Sequence, residues 1–395
     1  MIENKKTEMM FKMKSLVLLL FCSMSLLAQK PETILGIAKE NKSSAYYKEQ
    51  LSLWKIETQK NPKDANAWYQ RYKAHRAYLQ KSEPENWMKN QQAIFTKLRV
   101  TIDASKKQID GTFEYYVMES MTCRGSKSAQ FSQKAFEIDP NRSETHEGLL
   151  IHYITTFESE KAKSVATRML ANNHFSNSNL KWNYNSLQTA EINGVLITHG
   201  DLDAIPKWVL QYGNDIRTDV LVVNKWLLSD NKEYRAKILL KLGMKDMEKK
   251  QKDYANAQEH VNDLMAHLLK NSKRPIYSGC GTDIGFFKDY GIENKMYLVG
   301  TSFLYCEKDV DNMALVIKNF EQVYELEYLF NNFQIHPDDE MVKRYLNVAY
   351  IPGLMKLKRH YEITNDQVKL AKYNKLIDKV ATDSGRKEEI LGWYK

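Results

Sequence analysis

A histidine and two aspartates directly follow an apolar run in the middle of the chain. Residues 195–200 read VLITHG, ending in His199 and Gly200, and Asp201 and Asp203 come next. Ligands bind at strand ends in open α/β sheets, and an imidazole with two carboxylates can hold a divalent cation or transfer protons. An acidic side chain at this position is also a good helix cap, and Gly200 allows a tight turn. The pattern favours the capping role and leaves a ligand site as the alternative.

A cysteine in a glycine-rich segment is the second group that could do chemistry. Residues 278–285 read SGCGTDIG, and Cys280 would need a base such as His199 to act as a nucleophile. A turn of small residues is the simpler interpretation. Cys280 could instead pair with Cys306 in an oxidising compartment, against the alternative that both are small buried residues. The other histidines lack metal-binding spacing, so we predict no metal site, no catalytic residue and no cofactor.

The elements around the first group form one βαβ unit. The continuous apolar runs at 195–200 and 218–224 predict two strands that are covered on both faces, and hence parallel. The stretch at 203–213 between them is amphipathic and predicts a helix. Pro206 suits its first turn and Gly213 its C-terminal cap. The crossover is expected to be right-handed.

The remaining segments complete the predicted architecture. Residues 273–279 predict a third strand and residues 295–306 a fourth extended stretch, and helical patterns return after residue 310. The prediction is a mostly α protein, in which a TPR-like helical-repeat array is joined to a small α/β insert and C-terminal helices. The insert has three to four mostly parallel strands. The predicted domains are residues 29–190 (helical repeat), 191–306 (α/β) and 307–395 (helical).

The first helical region resembles tetratricopeptide-repeat proteins over about residues 44–175. SAYYKEQLSLWKIETQKNP is followed by KDANAWYQRYKAHRAYLQ, and SAQFSQKAFEIDPNRSETHEGLLIHY repeats the arrangement of a helix, a proline exit and a second helix. The resemblance implies stacked helix pairs with an extended concave surface. Trp68, Tyr69 and Tyr72 are candidates to bind a protein partner on that surface. Packing between repeats is the alternative role, and the one that the pattern favours.

The second half resembles the soluble C-terminal regions of multispanning proteins that are related to bacterial protein O-mannosyltransferases. The similarity covers about residues 190–385 and is carried by Gly200, Asp201, Asp203, Pro206, Trp208, Leu210, Gln211, Arg217, Asp219, Val220 and Asn224, and by the later string RPIY. It does not extend to the membrane-embedded catalytic half, so it implies a soluble module of unassigned activity. His199 and Leu202 replace two asparagines of the pattern. The candidate ligand-binding residues are His199, Asp201, Asp203, Arg217 and Asn224.

The N-terminus predicts a secretory signal peptide over residues 1–28. Lys12 and Lys14 precede the apolar segment SLVLLLFCSMSLLA, which ends at Ala28, a small residue suited to cleavage. Cys22 offers a lipoprotein alternative, but Phe21 stands where a small residue is wanted. The apolar segment is too short for a comfortable membrane span, and none is expected later. The expected location is the periplasm or the exterior of a Gram-negative cell.

Charge and composition narrow the choice of partner. The net charge is +9, but basic and acidic residues alternate along the chain, which argues against nucleic acid binding. The sequence therefore predicts an exported helical-repeat binding or scaffold protein of the cell envelope that contacts a protein partner. The alternative is a glycan-related enzyme or sugar-binding protein, with its small-molecule site around Asp201 and Asp203.

Overall fold

The structure is a computed structural model that describes residues 30–35, 37, 40–331 and 336–392. The predicted signal peptide, residues 1–28, lies outside the described residues. The chain divides into two compact units, Met1–Ile138 and Asp139–Lys395. The fold is mostly α, with a small α/β sheet in the second unit.

The first unit is built from successive α-helices. Its core is apolar and aromatic, with Ile94, Leu98 and Ile102 fully buried. Consecutive helices pack against each other in pairs, as repeat-like helices must in order to bury their apolar faces. The helices are α1 (Ser44–Lys60), α2 (Ala65–Ser82), α3 (Pro84–Lys89), α4 (Gln91–Ile109), α5 (Phe113–Ser120) and α6 (Gly125–Ile138).

The second unit places helices before, within and after the sheet. Short 3-10 and π segments join several of them. No helix in the described residues is long and apolar enough to cross a membrane. The α-helices are α7 (His146–Thr156), α8 (Ser159–Ala171), α9 (Asn177–Gln188), α10 (Asp201–Asn214), α11 (Lys225–Asp230), α12 (Lys232–Lys241), α13 (Ala257–Asn271), α14 (Ile284–Asp289), α15 (Asn312–Lys318), α16 (Asp339–Met341), α17 (Ile351–Ile363), α18 (Gln367–Asp383) and α19 (Lys387–Gly392).

The sheet has five strands in the order β2-β1-β3-β5-β4. Strand β1 lies between β2 and β3 and is parallel to both, so that Val195 lies opposite Leu221 on one side and Ile276 on the other. Strand β5 runs antiparallel to both β3 and β4. The strands are β1 (Val195–Thr198), β2 (Leu221–Asn224), β3 (Ile276–Gly279), β4 (Met296–Leu298) and β5 (Ser302–Tyr305).

Residues 295–306, for which the sequence predicts an extended stretch, form two strands. Residues 295–306 turn back on themselves between β4 and β5, which adds an antiparallel pair to the predicted parallel set. Gly300 makes the reversal with φ +145°, where a side chain is strained, and a Cβ there would lie 2.0 Å from the Tyr324 hydroxyl oxygen. A glycine is therefore required at this position both by the backbone and by the neighbouring tyrosine.

Helix α10 begins two residues earlier than predicted, and this changes the roles of its proline and glycine. Pro206 stands inside the helix and cannot donate to the carbonyl of Leu202; the Asn183 side chain donates to that carbonyl instead, at 3.1 Å. Gly213 is not the cap. A Cβ on it would lie 2.5 Å from Leu170 Cδ1, so the glycine allows helix α8 to pack closely. Asp215 ends the helix in the left-handed region.

The helices between residues 146 and 188 belong to the same unit as the sheet. The sequence pattern instead predicts them as part of the first helical domain. Helix α10 packs against both α8 and α9. Asn185 also donates to the carbonyl of Glu325 at 3.0 Å. The two compact units divide after Ile138, and the C-terminal helices lie in the same unit as the sheet.

Candidate functional site

The candidate site lies where strands β1 and β3 end side by side. From β1 the chain crosses to β2 through α10, and it then returns past β1 to β3 through α13. The chain thus leaves β1 toward one side of the sheet, to β2, and enters β3 on the other side of β1. The gap between the carboxyl ends of β1 and β3 is therefore a topological switch point. Ligands bind at such points in open α/β sheets. Residues 199–203 follow one strand and residues 280–283 the other.

His199 bridges these two segments. Its Nε2 is 2.8 Å from Thr282 Oγ1, which also donates to the Gly279 carbonyl at 2.9 Å. Glycines leave room for the ring, since a Cβ on Gly279 would lie 3.3 Å from His199 Cδ2. Burial and then the nearby Lys225 ammonium lower the pKa of His199 to about 4. The imidazole is therefore neutral near pH 7 and is held in place by Thr282.

The two aspartates after His199 have different roles. The Asp203 carboxylate accepts hydrogen bonds from the backbone N–H groups of His199 at 3.0 Å and Gly200 at 2.8 Å. Asp203 therefore closes the turn that starts α10. Asp201 is exposed, and in the described part of the chain no hydrogen bond to its carboxylate is seen. Desolvation, and then the charges of Glu147 and Asp203, raise the pKa of Asp201. Its carboxylate is the one available to a ligand.

A buried lysine bonds to the backbone of this turn, and no local sequence pattern distinguishes it. Lys207 is 1% exposed, and its Nζ donates to Asn183 Oδ1 at 2.8 Å and to the Asp203 carbonyl at 2.7 Å. The ammonium lies 4.7 Å from the centre of the Trp182 ring. Burial lowers the pKa of Lys207 to about 8. A charged group without solvent is stable only when it is well paired, so this cluster fixes the start of α10.

The lysine cluster continues into a polar network along helix α9. Asn183 Nδ2 donates to Asn179 Oδ1 at 2.7 Å, and Asn179 Nδ2 donates to the Asp338 carboxylate at 2.9 Å. The Asp338 carboxylate also bonds to His336. The sequence carries a signal for this network, because asparagines four residues apart share one helix face and asparagine is a poor helix former. Both asparagines are fully buried.

The predicted ligand-binding residues do not form a single group. His199, Asp201 and Asp203 lie together at the carboxyl edge of the sheet. Asn224 lies at the same edge, but its side chain caps α11 by accepting from the Trp226 N–H at 3.0 Å. Its burial, with 3% exposed, leaves it little access to a ligand.

Arg217 lies apart from the other predicted residues, before the amino end of β2. Its guanidinium donates to the Asp219 carboxylate at 2.9 Å and to the carbonyls of Leu187 at 3.1 Å and Ala190 at 2.9 Å. Arg217 thus ties α9 to the sheet. The structure does not bring Arg217 together with His199, because Arg217 precedes the amino end of β2 and His199 follows the carboxyl end of β1.

Cys280 is a free thiol that contacts the protein's own backbone. Its Sγ donates to the Gly300 carbonyl at 3.5 Å, and burial raises the pKa of the thiol to about 12. A nucleophilic cysteine needs a lowered pKa and a base. His199 is engaged by Thr282, and no hydrogen bond between His199 and Cys280 is seen among the described residues. Cys306 is also free.

The three aromatic residues that were candidates for partner binding lie in the first unit. Trp68 and Tyr69 are each 6% exposed, and Tyr72 is fully buried, with its hydroxyl 3.0 Å from Thr122 Oγ1. They form part of the apolar core of that unit. This is the packing role that the pattern favours, and it leaves them no exposed face for a partner.

The edge also opens onto a small cavity. A space of about 300 Å³ is lined by Lys225, Asn262 and Thr282, among others. This volume is at the lower end of the range for small-molecule sites. Within the described ranges, no three His, Cys, Asp or Glu side chains are arranged to hold a metal ion. This cavity can hold a small polar molecule beside Lys225 and Thr282.

No protein-family model matches the chain, and a search of curated proteins finds no significant relative.

Proposed function

We propose that the protein is an exported helical-repeat binding or scaffold protein of the bacterial cell envelope that acts through contact with a protein partner. Consecutive helices pack in pairs in both units, such as α1 with α2 and α17 with α18. Arrays of paired helices present extended surfaces to partners and need no cofactor. Two helical units in one chain support a role as an adaptor.

The observation that carries this proposal is how the side chains at the sheet edge are used. Asp203 accepts from two backbone N–H groups, Asn224 caps a helix and His199 is bonded to Thr282. Groups that act on a substrate must be able to reach it, and these groups hold the protein together instead. The edge is therefore better suited to structure and binding than to catalysis.

The turn between α17 and α18 is the surface that we propose for the partner. Ile363 ends α17 with 77% of its surface exposed, and Val368, the second residue of α18, is 83% exposed. A single exposed apolar residue is ordinary. Ile363 and Val368 lie one on each side of a three-residue turn, and together they form a small apolar tip that a partner can cover.

Affinity capture from an envelope extract tests the contact. The bait is the chain from residue 29, used as wild type and as the Ile363→Glu/Val368→Glu variant. We expect a stoichiometric protein partner with the wild type and its loss with the double variant. Val100→Glu, a change at a 68% exposed apolar residue of the first unit, is the matched control and should retain the partner. Absence of any stoichiometric partner, or equal loss with Val100→Glu, would contradict the proposal.

A second candidate is sugar binding or glycan-related chemistry at the switch point. It is favoured by the exposed Asp201 carboxylate, which follows β1, and by the cavity that Thr282 helps to line after β3. Carboxylates bind sugar hydroxyls through charge-assisted hydrogen bonds. Calorimetry with a panel of mono- and disaccharides tests this function. Saturable binding that Asp201→Asn weakens about tenfold would support it, and no heat from any saccharide would exclude these ligands.

A further inference from the structure

A second cleft opens in the same unit, at the amino end of β2. Its volume is about 400 Å³, which lies within the range for small-molecule sites. Helices α8, α10 and α12 supply its walls, and residues 218–222 supply its floor. None of the predicted ligand-binding residues lines it, although Arg217 stands next to this floor in the sequence.

Two cations line this cleft. Lys241 and Arg274 both line it, and the pKa of Lys241 is lowered, first by desolvation and then by the positive charge of Arg274. Arg274 is fixed in place because its Nη2 donates to the carbonyls of Gly194 at 3.1 Å and Asp219 at 3.0 Å. No carboxylate partner of Lys241 is seen among the described residues. Like charges held together repel each other, and an anion between them would relieve this repulsion.

The carboxylates of the cleft are largely balanced by other cations. Asp219 is bonded to Arg217 at 2.9 Å, and this contact is the main reason why its pKa is lowered to about 2. Asp215 lies 3.5 Å from Lys163 Nζ. Glu160 is exposed at the rim. Lys241 and Arg274 therefore supply two positive charges against the one negative charge of Glu160, and the local charge is positive.

Aromatic rings line the cleft beside these cations. Phe157 holds a φ of 65°, a left-handed conformation that is rare for a bulky residue. Its ring lies 4.6 Å from the Lys241 Nζ, and Tyr212 lines the same cleft. Glycine or asparagine would cap α7 with less strain. The phenylalanine therefore provides a ring at this place that a helix cap does not require.

We propose that this cleft binds a small anionic ligand that carries a planar ring, with its acidic group between Lys241 and Arg274 and its ring against Phe157 and Tyr212. Ammonium and guanidinium groups bind carboxylate and phosphate through charge-assisted hydrogen bonds. Aromatic side chains favour offset or edge contacts with another ring. The site is separate from the apolar tip, so it can exist whether or not the proposed partner does.

Calorimetry on the chain from residue 29 tests this site with four probes. Phenyl phosphate and benzoate carry both features, inorganic phosphate carries only the charge, and phenol carries only the ring. We expect one ring-bearing anion to bind with a Kd below about 1 mM, and the two single-feature probes to bind at least about tenfold more weakly. The better of phenyl phosphate and benzoate identifies the acidic group. No binding of either, or equal binding of inorganic phosphate, would overturn the proposal.

Two neighbouring lysines separate a specific contact from general charge. Lys237 Nζ also lies over the Phe157 ring, at 5.1 Å, but it donates to the Thr156 carbonyl and lies outside the cleft lining. Lys241→Gln should weaken binding of the ring-bearing anion at least about tenfold, whereas Lys237→Gln should change it less than about twofold. Both lysines are exposed, so both variants should fold. Equal effects of the two changes would show that only net charge attracts the probe.

Discussion

Burial of the Lys207 ammonium constrains the backbone turn that carries the candidate site. It is 1% exposed and has two oxygen acceptors, the Asn183 side chain and the Asp203 carbonyl. Because burying an ammonium is unfavourable unless it is paired, these acceptors are needed for the turn before α10 to form. The lysine acts on the site by holding the backbone of Asp203.

Removal of one acceptor should therefore be strongly destabilising. Asn183→Ala leaves the Lys207 ammonium with a single acceptor, and we expect the free energy of unfolding to fall by about 2–4 kcal/mol. Urea unfolding followed by tryptophan fluorescence measures the change. Asn177→Ala, at an exposed position of the same helix, is the control and should change stability by less than about 0.5 kcal/mol. A loss below about 1 kcal/mol for Asn183→Ala would show that the network is not needed.

The neutral His199 gives the second prediction at this scale. Its pKa is lowered from 6.5 to about 4 in the folded protein, so the unfolded chain binds the proton more readily between these values. Stability should fall as the pH drops from about 6.5 to 4, by on the order of 2–3 kcal/mol from this residue. His199→Gln should lose that part of the pH dependence, as measured by urea unfolding at pH 7 and pH 4.5. An unchanged slope would contradict the buried neutral state.

At the scale of elements, the end of helix α10 is determined by backbone conformation. Asp215 adopts φ 53° and ψ 29°, in the left-handed region where glycine is preferred. Its ion pair with Lys163 is exposed and contributes little, because solvent screens it.

Asp215→Gly should therefore stabilise the second unit. Relief of the left-handed strain should place the glycine variant about 1 kcal/mol above Asp215→Ala, which loses the same ion pair but keeps the strain. Thermal unfolding of the two variants compares them directly. A glycine variant that is no more stable than the alanine variant would indicate that the backbone at this position is not strained.

Much of the element order could be predicted from the sequence because it depends on local patterns. Continuous apolar runs gave β1 and β2, and helical spacing indicated α2 and the C-terminal hairpin. The start of α10 was missed because Pro206 suggested a first turn, whereas Asn183, distant in sequence, satisfies the carbonyl that the proline leaves open. The antiparallel β4–β5 pair was missed because its turn depends on Gly300.

The candidate site could be predicted only in part, for the same reason. His199, Asp201 and Asp203 are adjacent in sequence, so a local pattern identifies them together. Lys207 and Thr282 join them through tertiary contacts, which no local pattern shows. Arg217 was grouped with them on a resemblance alone, and the structure places it before the amino end of β2 instead.

At the scale of the whole molecule, the division after Ile138 separates a helical unit from a unit that combines helices with a sheet. Helices α7 to α9 belong with the sheet because they pack against α10. In addition, Asn185 of α9 donates to the carbonyl of Glu325, which follows β5. The proposed partner surface and both candidate ligand sites lie in this second unit.

The proposed export of the chain predicts a defined mature end. Expressed with residues 1–28 in a Gram-negative host, the protein should be recovered from the periplasm with Gln29 as its first residue, because Ala28 ends the apolar segment at a small residue. N-terminal sequencing and cell fractionation make the measurement. A cytoplasmic protein that keeps residue 1 would contradict export, and a lipid on Cys22 would indicate a lipoprotein.

The affinity of the chain for its captured partner tests the central claim, that the protein works by binding and not by chemistry at the sheet edge. Calorimetry with the purified partner should give the same Kd, within about twofold, for wild type and for Asp201→Asn, which removes the exposed carboxylate that follows β1. Ile363→Glu/Val368→Glu should weaken binding at least about tenfold. Loss of affinity with Asp201→Asn, together with full affinity of the double variant, would place the function at the sheet edge and contradict the account.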